Sequence, residues 1–344
     1  MQISDFDYEL PGELIAQRPL EARDASRMLV LNRLEESWVD SGFTEFAGYL
    51  RANDVVVVNN SRVIPARLIG RREESGGQVE IFLVRELENE EWEALVRPGA
   101  RLKAGAKAIF GGGRLTAEIL DHPGPELRRI RFYCKGPFVE VLAEIGTTPL
   151  PPYIKRPAGA LSDDRERYQT VYSKRRGAIA APTAGLHFTA QALEDIRRRA
   201  SLAEITLHVG YGTFEPVRVD RVEDHSVSGE AYEISETAAQ TINAARANGG
   251  RIIVVGTTTM RALESVATES GEVQAGRGLA TLTIKPGYRF RVADSLLTNF
   301  HLPRSSLLIL VSAFAGRELI LRAYHHAVEQ RYRFYSYGDC MFIL

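Results

Sequence analysis

Cysteine is nearly absent. Cys134 and Cys340 are the two in 344 residues. They are too few for a disulfide framework and lack metal-ligand spacing, so a reducing cytoplasm is the expected compartment. Long apolar runs are missing as well. The longest, residues 306–315, is about half of the roughly 20 residues that a bilayer-spanning helix needs, so no membrane contact is expected. The opening Met-Gln-Ile-Ser-Asp-Phe-Asp has an early acid and no apolar core, unlike a secretory signal. Neither sign of charge dominates: 43 Lys and Arg against 44 Asp and Glu leave a net charge of −1. That excludes a protein that coats nucleic acid by bulk charge, and any such contact must come from a local patch. Repeats and low-complexity tracts are also lacking. What is present, 44% hydrophobic and 25% charged residues, is ordinary globular composition, at a length that suits two domains.

Texture changes along the chain. Four consecutive valines, 55–58, run into Asn59-Asn60-Ser61, which predicts a buried strand and a turn. From about residue 66 to 146, short β-like runs (78–85, 92–97, 106–110, 115–120 and 127–133) are separated by Gly- and Pro-rich turns, with one helical stretch at 138–145. This pattern predicts a small antiparallel barrel or sandwich. Residues 147–153, Thr-Thr-Pro-Leu-Pro-Pro-Tyr, form a stiff crossing. Beyond it, predicted helices (190–200, 236–248, 261–269, 317–330) alternate with predicted strands (203–209, 251–255, 280–284, 307–312), the α/β signature. The expected architecture is a discontinuous mixed-sheet α/β domain, 1–65 plus 147–344, carrying an inserted β-barrel at 66–146.

Several segments hold groups suited to chemistry. A strand ending in Gly256 is followed by Thr257, Thr258 and Thr259, then Arg261. Hydroxyls at a helix start can cap the helix or meet polar ligand groups, and both roles fit. The Gly-x-Gly at 210–212 lacks a third glycine and a following helix, so it is no dinucleotide or methyltransferase loop. His208 sits within an apolar strand and reads as a core histidine. His187 closes a small-residue loop containing Thr183, just before a helix capped by Thr189. His301 lies in the polar and aromatic cluster 298–304 beside Asn299. Loop histidines are candidates for proton transfer near neutral pH, or for bonding loop backbone. Residues 163–176 are the densest basic and aromatic stretch, with Arg165, Arg167, Lys174, Arg175 and Arg176, and read either as a solvated face or as a phosphate-binding patch.

The order and wording of these segments resemble one family. RDASR (23–27), NSRVIPAR (60–67), TPLPPYI (148–154), ERYQTVY (166–172), AAPTAGLHFT (180–189), TLHVGYGTFEPV (206–217), VGTTTMRALES (255–265), TNFHLP (298–303), VSAFAG (311–316) and YRFYSYGDCMFIL (332–344) are similar to the S-adenosylmethionine:tRNA ribosyltransferase-isomerases of queuosine biosynthesis. The resemblance runs from end to end. One departure is visible: after Asp224-His225 the family usually has a second histidine and then an acid, where this chain has Ser228-Gly229-Glu230.

The resemblance implies a transferase. It would move the ribosyl part of S-adenosylmethionine onto 7-aminomethyl-7-deazaguanine at the tRNA wobble position and isomerise it, giving epoxyqueuosine-tRNA, adenine and methionine. S-adenosylmethionine would be a consumed co-substrate, with no metal and no true cofactor. The chemistry needs acids and bases tuned near neutrality, for which His187 and His301 are the candidates. Thr183, Thr257, Thr258, Thr259, Arg261 and Asn299 are the expected substrate contacts, with Tyr211, Phe214 and Glu215 suited to a sulfonium cation. The 165–176 patch is expected to hold tRNA, and a monomer is expected. The rival from another class is an RNA-binding protein without catalysis, and a second rival is a tRNA methyltransferase.

Overall fold

A computed structural model describes residues 1–87, 90–99, 102–123, 127–156, 163–210, 212 and 217–344. The strands in its first half are β1 (Arg27–Asn32), β2 (Ser37–Gly42), β3 (Val55–Asn59), β4 (Ser61–Val63), β5 (Arg67–Arg72), β6 (Gln78–Glu86), β7 (Glu91–Arg97), β8 (Lys107–Phe110), β9 (Leu115–Asp121) and β10 (Leu127–Cys134). Helices α1 (Phe138–Ile145) and α2 (Asp164–Arg167), strand β11 (Arg175–Ala178), α3 (Ala190–Arg197) and β12 (Ser201–Leu207) follow. The last third holds β13 (Glu230–Ile234), α4 (Glu236–Ala247), β14 (Ile252–Val255), α5 (Thr257–Val266) and β15 (Gly276–Ala280). It ends with β16 (Ser295–Asn299), α6 (Ser306–Ala315), α7 (Arg317–Glu329) and β17 (Cys340–Ile343).

One nine-stranded mixed sheet runs β15-β13-β12-β3-β14-β16-β17-β1-β2. Its centre, β12-β3-β14-β16, is parallel. The valine run is β3, and its alternation explains why it is apolar throughout. Val55 and Val57 face one core, with Ile252 and Val254 of β14. Val56 and Val58 face the opposite core, with Ile253 and Val255. A strand covered on both faces has no polar side to show.

Strands β5 to β10 close into an antiparallel barrel, order β10-β7-β6-β5-β8-β9, with its own apolar interior including Val79, Ile81, Leu83, Ala94 and Phe132. The α/β architecture with a barrel is therefore as expected. The chain enters the barrel after Ala66 and leaves it at Thr147, and these two passages are tied together by paired bonds, Arg67 N–H to Thr147 O (3.2 Å) and Thr147 N–H to Arg67 O (2.9 Å). We propose that residues 66–146 fold as an independent unit and that 1–65 with 147–344 form the other. An isolated 66–146 fragment should unfold in one cooperative transition on urea titration; a sloping, non-cooperative loss of structure would count against it.

Three expectations need correction. The predicted strand 307–312 is helix α6. Ser305 caps it, accepting from Leu308 N–H at 3.2 Å, and apolar residues all round it suit a helix buried on nearly every side, a pattern that a short apolar run shares with a buried strand. The strand placed at 280–284 lies earlier, at Gly276–Ala280, because its register is set by antiparallel pairing with β13. Helix α5 also begins four residues sooner than predicted, so Thr257, Thr258 and Thr259 form its first turn. Strands β1 and β2 carried no clear pattern in the sequence. β1 is held by parallel pairing with β17, more than 300 residues away along the chain.

Candidate active site

The parallel strands β12, β14 and β16 all end on one side of the sheet, and the loops that follow them build the site. Open α/β sheets bind ligands at such carboxyl ends. Between β14 and α5 the chain turns at Gly256 with φ of 89°, a conformation that favours glycine. Behind the turn sit Thr257 and Thr258, both buried. Thr259 spends its hydroxyl proton on the Val255 carbonyl at 2.6 Å, which ties the first turn of α5 to the end of β14. In the loop before α3, Gly185 packs so tightly that a Cβ would lie 2.0 Å from the Tyr172 hydroxyl.

Thr183, Thr257, Thr258, Asn299 and His301 together line a cavity of about 50 Å³. It adjoins a much larger cleft of about 1100 Å³, and Val209, Leu307 and Tyr335 border both. One wall of the cleft is the barrel edge, including Arg85, Glu86 and Trp92. The other is the body of the sheet domain, including His208, His225, Ser228 and Arg261. His208 is thus a half-buried cleft residue and not a core one, with Nδ1 buried and unpartnered among the described residues. His225 Nε2 is 2.8 Å from Ser306 Oγ.

The two candidate histidines are both buried but differ in what they face. Asn299 Nδ2 donates to His187 Nε2 at 3.2 Å. An accepting Nε2 leaves the proton on Nδ1, which then donates to Ser26 Oγ at 2.7 Å. Both ring nitrogens are used, and His187 borders a separate small recess with Arg23 and Tyr337. His301 faces the threonine cavity, with Nε2 2.9 Å from Thr298 Oγ1. Its backbone is gripped by two tyrosines: its N–H donates to Tyr324 Oη at 3.0 Å, and its carbonyl accepts from the Tyr8 hydroxyl. Burial pushes the His187 imidazole down to about 3, helped by Arg333 and Arg23. Burial alone takes His301 down to about 3. Both rings are therefore neutral at pH 7.

That neutrality has a cost in acid. Below an unfolded-state pKa near 6.5 the unfolded chain binds protons that the folded rings refuse, so stability is intact above about pH 6.5 and falls as pH drops toward 3. Each ring should cost about 1.4 kcal/mol per pH unit in that window. Urea unfolding at pH 7.5 and 5.5 should differ by about 2–3 kcal/mol on account of this pair. The difference should shrink in a variant with both replaced by glutamine; an undiminished acid loss in that variant would assign it elsewhere.

Arg261 is placed as a strut. It pairs with Glu230 at 2.6 Å and donates to the carbonyls of Ser228, Ala280 and Leu282. Ser228 thus meets the cleft with its carbonyl committed. In the basic patch, Arg167 donates to the Glu21 and Leu20 carbonyls and Lys174 pairs with Glu204 at 2.8 Å. Arg165, Arg175 and Arg176 are exposed. Tyr211, Phe214 and Glu215 lie outside the described residues. Sequence reasoning passed over Ser26, Tyr335 and the barrel wall. Ser26 and Tyr335 lay in quoted motifs with nothing to tie them to His187 or the cavity, and the barrel wall is a meeting of distant strands.

Among the described residues no three His, Cys, Asp or Glu side chains gather as a metal site, and no helix is long and apolar enough to cross a membrane. Residues 3–343 match the family model described as Queuosine biosynthesis protein. The chain belongs to this family. Relatives named S-adenosylmethionine:tRNA ribosyltransferase-isomerase are 49% identical in Desulforamulus reducens and 50% in Thermoanaerobacter sp., each over 345 aligned positions covering 100% of both chains. A crystal structure of S-adenosylmethionine tRNA ribosyltransferase from Thermotoga maritima is 35% identical, covers 99% of this chain and 100% of its own, and superposes with a TM-score of 0.56. The family's members and this chain thus share sequence through sheet domain and barrel alike.

Proposed function

We propose that this chain is an S-adenosylmethionine:tRNA ribosyltransferase-isomerase acting as a monomer in the cytoplasm. It transfers and isomerises the ribosyl moiety of S-adenosylmethionine onto the 7-aminomethyl-7-deazaguanine wobble base of tRNA, giving epoxyqueuosine-tRNA. The carbon–sulfur bond to methionine and the glycosidic bond to adenine break, and both leave. The base amine bonds to a ribosyl carbon, and a new carbon–carbon bond closes the ribosyl carbons into the epoxycyclopentanediol ring. S-adenosylmethionine is consumed as a co-substrate. The observation that carries this reading is end-to-end identity of about half with enzymes of that name.

The site suits the chemistry. The cleft is large enough for a nucleoside and an extruded base, and it lies between the barrel and the strand ends. The threonine cavity at the start of α5 holds unspent N–H and hydroxyl donors for a carboxylate or ribose hydroxyl. The amine must lose a proton to attack, and the carbon beside the sulfonium must lose one as well. His301, at the cavity wall, is the imidazole placed to take part in these transfers. His187 is assigned to hold the Asn299 amide, whose buried Oδ1 has no partner among the described residues and is available to a ligand N–H or O–H. Tyr211, Phe214 and Glu215 remain the proposed sulfonium contacts, and Arg261 the support of the cleft wall.

Incubating the protein with S-adenosylmethionine and tRNA bearing the aminomethyl base should release adenine and methionine in equal amounts. Release of S-adenosylhomocysteine in their place would indicate a methyltransferase. RNA binding with no adenine release would leave the non-catalytic reading standing.

A further inference from the structure

Beside the main cleft is a side chamber of about 120 Å³, roofed by α1 and floored by β4 and β11. Three arginines line it: Arg62, Arg165 and Arg176. Arg62 and Arg176 are brought together by register, because parallel pairing of β11 with β4 sets Arg176 against Arg62. Like charges held side by side repel, so the fold gains nothing from this pair by itself.

The three differ from five other arginines around the barrel. Arg67, Arg85, Arg114, Arg129 and Arg131 each have a carboxylate partner. Among the described residues, Arg62, Arg165 and Arg176 have none. Arg62 donates to Ser173 Oγ at 3.2 Å and Arg165 to the Ala143 carbonyl at 2.8 Å, which leaves most of their N–H groups unspent. A second observation points the same way. Trp92, only 5% exposed, lines the chamber, and among the described residues its buried indole Nε1–H has no acceptor. A buried N–H without a partner is costly unless something accepts from it. Among the described residues Glu86, which is exposed, is the one carboxylate on the lining.

The chamber opens toward the substrate: Glu86, Trp92, Arg176 and Gly177 border it and the main cleft alike. We propose that it seats a backbone phosphodiester of the RNA substrate next to the nucleotide held in the cleft, with Arg62, Arg165 and Arg176 as its cations and the Trp92 indole as a neutral donor. This rests on the tRNA reading above and refines it. Arg62 enters the RNA site, while Arg167 and Lys174, already engaged by the fold, leave it.

The test measures binding of an unmodified anticodon stem-loop RNA across a salt series, since phosphate contacts do not require the modified base. Arg62→Gln, Arg165→Gln and Arg176→Gln should each weaken binding roughly tenfold or more. Each should also lower the salt slope by about one. Arg62→Lys should keep the slope, and Trp92→Phe should weaken binding with the slope unchanged. Arg199→Gln, at the exposed end of α3, should change neither. Retained S-adenosylmethionine binding reports that each variant is folded. An unchanged slope and affinity in Arg62→Gln overturns the proposal. So does a thermal upshift by inorganic phosphate that Arg62→Gln abolishes while stem-loop binding stays intact, which would mark a free-phosphate site. Failure of the enzymatic reading is separable: absent adenine release with the slope loss preserved removes the activity and keeps the RNA site.

Discussion

His301→Gln should slow adenine release by about a hundred- to ten-thousandfold, the usual loss when a general acid or base is removed, with S-adenosylmethionine binding near wild type. The expectation follows from placement. His301 is the histidine that faces the threonine cavity, so its ring is the one placed to reach a proton of a bound ligand. His187→Gln should behave differently. His187 reaches the cavity only through Asn299, so its loss should raise the KM for S-adenosylmethionine, leave the pH profile of kcat unchanged, and cost stability by unfastening Ser26. If both variants turn over at near wild-type rates with S-adenosylmethionine saturating, the histidines are retired. Tyr153, Tyr168 and Tyr335, which border the same cavity, would then be the next groups to test.

Glu230→Gln should lower the unfolding free energy by about 3–5 kcal/mol, because removing one member of a buried ion pair strands the other charge. Glu230 is 5% exposed and Arg261 7%. The Glu230 carboxylate also accepts the Gly210 N–H at 2.8 Å, so three segments of the cleft wall depend on it: α5, β13 and the loop after β12. Urea unfolding measures the effect, and adenine release should fall with it, as the wall loosens. A loss below about 1 kcal/mol would mean that Arg261 finds compensation from the carbonyls of Ser228, Ala280 and Leu282.

Periodicity and punctuation made much of the fold legible. The valine run, the barrel's turn-separated strands and helices α3, α4 and α7 depend on local pattern and were readable from it. The α6 run was not, since a wholly apolar stretch has no face to reveal and its helical state is set by packing against the sheet and α7. β1 and β2 escaped for a related reason. The sequence did not show β1, whose partner β17 lies at the other end of the chain, and pairing across such a separation leaves no local signature.

The site divides in the same way. Residue types suited to the chemistry, the family's motifs and the two loop histidines were all determined by the sequence. Only the tertiary structure decided which histidine faces the cavity, because that depends on the Asn299 amide and Ser26 closing around one ring. It also decided which cations are free. Arg167 and Arg176 look alike in a basic run, yet one is consumed by the carbonyls of residues 20 and 21 while the other is set beside Arg62 at the mouth of a chamber. Charge along a chain is local, but the availability of that charge depends on what folding places around it.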